Sequence, residues 1–428
     1  MKKINILVFP CGSEIGLELH RSLKYSTHIE LYGASSVDDH GKFVYDRYFG
    51  NLPYIGEELL IDKLKRIIQE HNIDGIYPTM DSVITFLKSK EKEFSCKIIS
   101  SPIDTVKICS QKSLTYKKLS RAIPTPRTFH IDEDIEYPVF IKPDEGYGTR
   151  GLYQRVDSQD QLHQLLTNKN ASEFIISEYL PGKEYTVDCF TNKDGKLIYC
   201  SPRERNRVSN GISVNSIQTP DNEQLFEQLA EKINGELIFR GAWFFQVKRN
   251  TQNTLVLLEI ASRIAGTSAL CRGKGVNLGL LTVFDAFDYE VSILENDIKI
   301  EIDRSLNTRF SLELQFNAVY VDLDDCLVIN GKVNTILIAF LYQCISDKIP
   351  ITLITKHIGD LNHTLATYRI SSLFDKTIHL QPNQEKHQFI SLANRPIFID
   401  DSFAERKEVA VRLKIPVFSP ENIETLLR

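Results

Sequence analysis

The chain has 428 residues, 42% of them hydrophobic and 25% charged, a soluble globular balance too long for one core, so two or three domains are expected. Its formal net charge of −5 gives no bulk attraction for nucleic acid or for an anionic membrane. No stretch reaches the ~18 consecutive apolar residues that span a bilayer.

Residues 4–9 (INILVF) form a short apolar run bounded by Pro10 and Gly12, which predicts a buried parallel strand. Gly12–Gly16 then opens a segment with apolar residues at Ile15, Leu17, Leu19 and Leu23, read as a helix. Residues 29–32 predict a second strand. Residues 59–71 carry apolar positions at helical spacing, and residues 74–77 predict a strand running into Pro78-Thr79-Met80-Asp81. Strands alternate with helices, so residues 1–105 read as a small doubly wound α/β domain. Residues 112–119 predict a helix, Pro124 and Pro126 break the chain, and strands are expected at 139–142, 174–177 and 185–190. Glycine loops and strands continue to Leu258, and 267–285 reads as helical. Residues 286–316 are charged and β-leaning. A new strand–loop–helix series starts at Ala318, with strands expected at 319–321, 351–354, 397–399 and near Val417.

The cysteines (11, 96, 109, 189, 200, 271, 326 and 344) are scattered with no CxxC pair, the pattern of reduced buried thiols rather than of a disulfide or zinc framework. The apolar part of the N-terminus is too short for a signal peptide and meets a turn at once. A cytoplasmic protein is expected.

Three segments of the first two-thirds carry chemistry. Residues 140–151 (FIKPDEGYGTRG) end a strand on Lys142 and continue in a loop holding Gly146, Gly148 and Gly151. Glycines let backbone N–H groups approach phosphate oxygens, and the lysine adds a point charge; taken alone, the loop fits a plain hairpin turn about as well. Residues 178–188 (EYLPGKEYTVD) form an acidic tight turn that can offer backbone groups to an adenine edge and a carboxylate to ribose, or can simply be a solvated hairpin. Gln246, and Glu259 at the end of the apolar run 255–258 followed by Arg263, suit a magnesium ion and phosphate oxygens, or an edge strand capped by an ion pair.

The joint order of Lys112, Lys142, the glycine loop, Glu178–Glu184, Gln246, Glu259 and Arg263 resembles the ATP-grasp superfamily, most of all short relatives of the carbamoyl phosphate synthase large subunit, over residues 1–285. The resemblance implies that Lys112 and Lys142 hold ATP phosphates and that Gly146, Gly148 and Gly151 close over them. It implies that Glu178 and Leu180 meet adenine, Glu184 meets ribose, Gln246 and Glu259 sit at Mg²⁺, and Arg263, helped by Arg205, faces the γ-phosphate or an acyl phosphate. The family usually reads Glu-x-Asn at the second metal position, where this chain has Glu259-Ile260-Ala261. The acceptor pocket is expected near Cys11–Gly16 and Thr79–Asp81, at strand C-terminal ends.

Residues 319–327 (VYVDLDDCL) place Asp322 and Asp324 at the end of an apolar strand, Thr355 ends another, and Asp400 and Asp401 end a third, with Lys386 between them ahead of an expected apolar helix. Crowded carboxylates need a cation; Asp400-Asp401-Ser402 alone would read as a helix N-cap. The set resembles the haloacid dehalogenase-like superfamily over 315–428. That resemblance implies Asp322 as nucleophile, Asp324 as general acid and base, Thr355 and Lys386 on the phosphoryl group, and Asp322, Asp324, Asp400 and Asp401 around Mg²⁺. Cys326 departs from the usual Thr or Val. The spacing leaves no room for a cap domain, so a large phosphorylated substrate is expected.

The fold class expected is α/β: a Rossmann-like pre-ATP-grasp domain (1–105), an α+β ATP-grasp domain (106–290), a connection (291–316), and a Rossmannoid haloacid dehalogenase-like domain without a cap (317–428). The expected function is an ADP-forming carboxylate-amine ligase fused to a Mg²⁺-dependent phosphatase, with ATP and Mg²⁺ as cofactors. The alternatives are a small-molecule kinase in place of the ligase, or a nucleotide-binding regulator. Expected partners are a small carboxylate, an amine and a phosphorylated substrate, with a homodimer as one option.

Overall fold

The structure, a computed structural model, describes residues 3–146, 154–209, 211–219, 223–310 and 312–428. It divides into two compact units, Met1–Asn307 and Thr308–Arg428.

The first unit opens with a five-stranded parallel sheet in the order Tyr48–Phe49, Ile29–Ala34, Ile4–Phe9, Gly75–Pro78, Lys97–Ile98. Alternate residues of its first strand serve two cores, as a pleated strand buried on both faces requires. Ile4, Ile6 and Val8 pack with Ile15, Leu19 and Leu23. Leu7 and Phe9 pack with Leu60, Leu64 and Ile68. Ser13 caps the helix Glu14–Leu23 by accepting from the Gly16 N–H at 3.0 Å. Gly16 is required there, since a Cβ would stand 2.3 Å from the Cys11 carbonyl oxygen.

Two antiparallel sheets follow. One has four strands, in the order Thr128–Phe129, Phe174–Glu178, Val139–Pro143, Gln154–Val156. The other has six, in the order Leu255–Ala261, Gly241–Arg249, Glu184–Thr191, Leu197–Ser209, Ile212–Gln218, Glu301–Asp303. The last of these falls inside the segment read from sequence as a connection. Three residues are too short for a period of two to register, yet Asn215 pairs with Asp303 and Ile217 with Glu301.

The second unit is built on a five-stranded parallel sheet in the order Lys376–His379, Ile351–Thr355, Ala318–Val321, Pro396–Ile399, Val417–Phe418. Its first strand is central. Val321 lies beside Leu353 on one side and Ile399 on the other, so Asp322, Thr355 and Asp400 emerge side by side at the sheet's C-terminal edge. Between Asp324 and Thr355 stand only a two-strand ribbon, Val328–Ile329 with Lys332–Val333, the helix Thr335–Ser346 and the strand that carries Thr355. Lys386 does not precede a helix. It begins the 3-10 turn Lys386–Phe389, after which buried Ile390 is extended; the apolar stretch is too short before Pro396 to complete an α-helix. Among the described residues no helix is long and apolar enough to cross a membrane.

Candidate functional sites

A cleft of about 530 Å³ opens in the first unit. Its walls draw on all three sheets: Ser13, Glu14 and Asp81 at strand-to-helix junctions beyond the parallel sheet, Pro143 at the end of a strand of the four-stranded sheet with Gly146 just past it, and Thr186, Arg203, Gln246 and Glu259 from the six-stranded sheet. The last four form one row across adjacent strands, with Glu259 opposite Gln246, Gln246 opposite Thr186, and Thr186 opposite Arg203. Opposed residues share a face of the sheet, so the row presents an amide, a carboxylate, a hydroxyl and a guanidinium together.

Two lysines are gathered at the four-stranded side. Lys112 lines the cleft and donates to the carbonyls of Pro143 and Asp144 at 3.1 and 3.4 Å. Its helix is anchored by Asp144, which accepts from the Ser113 N–H, the Ser113 hydroxyl and the Gln111 amide. Lys142 stands behind that wall, 4% exposed, and donates to the Tyr116 hydroxyl at 2.8 Å and the Leu258 carbonyl at 3.3 Å. Burial pulls its ammonium down to about 7, and Lys112 pushes the same way, against Glu259, Glu184 and Asp144.

The remaining expected nucleotide residues divide. Gly146 lines the cleft, while Gly148 and Gly151 lie outside the described residues. Arg205 lines it as well and pairs with Glu184 at 3.1 Å, which brings Glu184 to the site; Lys248 adds a 3.7 Å contact to the same carboxylate. Glu178 and the buried Leu180 are not on the wall. The Glu178 carboxylate accepts from the Arg127 N–H at 2.9 Å and joins two strands. Gln246 and Glu259 offer oxygen donors that suit a magnesium ion; Ala261, opposite Phe244, offers none from its side chain.

Two ion pairs here have no local sequence signal. Arg263 makes a two-bond clamp on Asp81, Nε to Oδ1 at 2.8 Å and Nη2 to Oδ2 at 2.7 Å. Burial opposes the Arg263 charge, but the Asp81 carboxylate, joined by Glu259 and Glu14, raises the guanidinium's pKa on balance. Arg203 is 1% exposed and pairs with fully buried Asp188 at 2.7 Å, with Thr267 bonded to the same guanidinium.

In the second unit Lys386, itself buried, lies 2.9 Å from Asp322 and 2.6 Å from Asp400. Burial raises the Asp322 carboxyl, with Lys386 opposing. Burial, then the Asp322 charge, raises Asp400 to about 6, again against Lys386. The two carboxylates hold the ammonium in its charged form despite burial. Asp322, Asp400 and Asp401 each offer an oxygen within 4.8 Å of the others, a hard-donor set of the kind magnesium takes. Asp324 does not share this group. Its half-exposed carboxylate meets His357 Nδ1 at 2.9 and 3.0 Å, and His357 Nε2 meets the Thr364 hydroxyl at 2.9 Å. His357 went unread in the sequence; its place two residues beyond the strand-end Thr355 is the one local signal for it.

Residues 170–312 match the family described as "ATP-grasp in the biosynthetic pathway with Ter operon". Over 213 residues the chain is 24% identical to the D-alanine–D-alanine ligase of Francisella tularensis subsp. novicida (strain U112), a match spanning 47% of this chain and 67% of that protein. Its fold is similar to that of the biotin carboxylase domain of Hydrogenobacter thermophilus 2-oxoglutarate carboxylase, solved as a dimer with MgADP, ADP and bicarbonate. That likeness has a TM-score of 0.58 and 16% identity, and covers 70% of this chain and 73% of the other. A second solved structure, L-amino acid ligase from Bacillus licheniformis, gives a TM-score of 0.53 and 16% identity over 67% of this chain and 75% of the other. The family match over residues 170–312 and the ligase relative are what support the ATP-grasp superfamily; at such identities the structural likenesses carry the fold alone.

Proposed function

We propose that the first unit is an ADP-forming ATP-grasp ligase that joins a carboxylate to an amine through an acyl phosphate. The observation that carries this is the convergence of Lys112, Gln246, Glu259 and Arg263 on one cleft walled by all three sheets. In this reading Lys112 and Lys142 neutralise the polyphosphate, and Glu184, turned by Arg205, holds ribose. The expected adenine contacts of Glu178 and Leu180 are through backbone groups. Gln246 and Glu259 would hold a magnesium ion, which would supply further charge neutralisation. Arg263 steadies the oxygens of the acceptor as its carboxylate attacks the γ-phosphorus and ADP departs; the amine then displaces phosphate. Catalysis is by positioning and preorganised charge. The test is ADP release: dependence on both an acid and an amine supports a ligase. Lys142→Ala is expected to abolish ATP binding, and unchanged binding removes the assignment.

Ala261 favours a second reading, direct phosphorylation of a small molecule, because a metal position lacking one oxygen can accompany altered chemistry. ADP release that needs no amine supports it. A homodimer fits either reading, since the H. thermophilus domain was solved as one; light scattering decides it.

For the second unit we propose a magnesium-dependent phosphatase of the haloacid dehalogenase-like type. Asp322 attacks phosphorus to give an aspartyl phosphate, Asp324 protonates the leaving group and later takes the proton of the hydrolytic water, and Thr355 and Lys386 hold the phosphoryl oxygens. Asp400 and Asp401, with Asp322, form the cation site. The contact of Lys386 with both Asp322 and Asp400 supports this reading, and the short ribbon and single helix between Asp324 and Thr355 favour a large substrate. Asp322→Asn is expected to lower hydrolysis of an aryl phosphate by roughly three orders of magnitude or more. Hydrolysis that survives the substitution removes Asp322 as nucleophile.

A further inference from the structure

Asp324 is not a free surface carboxylate. Although half-exposed, it is met by His357 Nδ1 at 2.9 Å from Oδ1 and 3.0 Å from Oδ2. It follows Asp322 by two residues yet stands outside the group that Asp322, Asp400 and Asp401 form. The histidine is itself tied down by its other polar atoms. Nε2 meets the Thr364 hydroxyl at 2.9 Å, the backbone N–H donates to the Thr355 hydroxyl oxygen at 3.2 Å, and the carbonyl accepts from His379 Nε2 at 2.8 Å. One short loop thus carries both Thr355 and the ring that holds Asp324, ahead of the helix Leu361–Thr367 on which Thr364 sits.

The chemistry of these groups fixes their roles. A carboxylate only accepts, so Nδ1 carries the hydrogen. The Thr364 hydroxyl donates to Nε2 of a neutral ring or accepts from Nε2 of a charged one, so the Nδ1–H bond to Asp324 is kept in either state. When Asp324 holds a proton, that bond occupies one carboxyl oxygen and leaves the O–H of the other for a second partner. A carboxyl without such an anchor samples its rotamers in water and spends little time in the one orientation that proton transfer needs.

We propose that His357 is a positioning residue that holds Asp324 as proton donor to the leaving group, acting through its Nδ1–H and not through its own charge. The proposal rests on the phosphatase reading of the second unit. In the step concerned an Asp322 oxygen bonds to phosphorus, the bond from phosphorus to the leaving oxygen breaks, and that oxygen takes the Asp324 proton. The water that later cleaves the aspartyl phosphate returns a proton to Asp324.

The experiment measures kcat/KM of the full chain with Mg²⁺ on two aryl phosphates. The leaving group of 4-nitrophenyl phosphate departs without a proton, and that of phenyl phosphate needs one. His357→Ala is expected to slow phenyl phosphate by about a hundredfold, as loss of a proton donor does, and 4-nitrophenyl phosphate by less than about threefold. Asp324→Asn is expected to give the same selective loss, and the double variant to be no worse than Asp324→Asn alone. His357→Asn places an amide N–H where Nδ1–H stands and is expected to recover most of the rate on phenyl phosphate. Equal slowing of both esters, which a merely structural role would give, overturns the proposal, as does no slowing of either or an Asn variant no better than Ala. Those results leave the phosphatase reading intact. Wild-type protein that hydrolyses neither ester sinks that reading, and the role of His357 with it.

Discussion

The Lys142 ammonium lies 2.8 Å from the Tyr116 hydroxyl, which passes its own proton on to the Leu258 carbonyl at 2.7 Å. Tyr116 therefore accepts from the lysine without adding charge, and the ammonium stays in a buried setting that pulls it down to about 7. A phosphate beside it favours the charged form. Below pH 7 the free protein already carries that proton; above pH 7 nucleotide binding must take one up. ATP affinity is expected to fall as pH rises from 7 to 9, by up to about tenfold per unit. Calorimetry in buffers of different ionisation enthalpy should show the proton uptake at pH 8, and binding there with no proton uptake would contradict this role for Lys142.

Asp400 titrates the other way. Its folded-state value of about 6 lies above the ordinary carboxyl range, so the folded state binds more protons than the unfolded chain between about 4 and 6. The stability that this proton confers is present at low pH and is lost as pH rises through 6. Hydrogen exchange along the strand Pro396–Ile399 is expected to quicken over that range. Asp400→Asn should flatten the dependence, and Mg²⁺ should restore protection near pH 7 in the wild type; no effect of either would count against the cation site.

Asp188 and Arg203 form the most deeply buried ion pair described in the first unit. Removing one partner leaves the other charged and dry, so Asp188→Ala should destabilise this unit by about 3–5 kcal/mol. The chain's single tryptophan, Trp243, is buried in the same sheet and donates to the Thr191 hydroxyl at 2.9 Å. Its fluorescence therefore reports denaturation of the first unit without interference from the second. A denaturation midpoint within error of the wild type would contradict this accounting.

Ala261 provides a gain-of-function test. Ala261→Asn puts an oxygen two residues beyond Glu259, on the same strand and lining the same cleft, and is expected to lower the Mg²⁺ concentration that half-saturates ADP release. A Mg²⁺ requirement that does not change would mean that the alanine is no defect in the cation site.

The sequence displays its local features well. The helices Leu59–His71 and Lys112–Leu119 follow from apolar spacing bounded by breakers. Asp322, Thr355 and Asp400 stand out because each ends a short apolar strand, and parallel pairing then sets them on one edge. What stays hidden depends on partners far away in the chain. Arg263 reads as a phosphate ligand, but nothing near it announces Asp81. The same holds for Glu14, which pairs with Arg304, and for the carboxylate of Glu178, which is spent on Arg127. Lys386 is visible as a buried cation candidate, whereas its 3-10 turn is not, since four residues carry too little periodicity to distinguish it from the start of a helix.

The separation of 182 positions between Asp81 and Arg263 has a consequence for biosynthesis. The parallel sheet holding Asp81 has left the ribosome well before the strand leading to Arg263 is made, and domains fold as units in order of synthesis. For that interval the Asp81 carboxylate is hydrated rather than clamped, and the pair closes only once the later arginine has emerged.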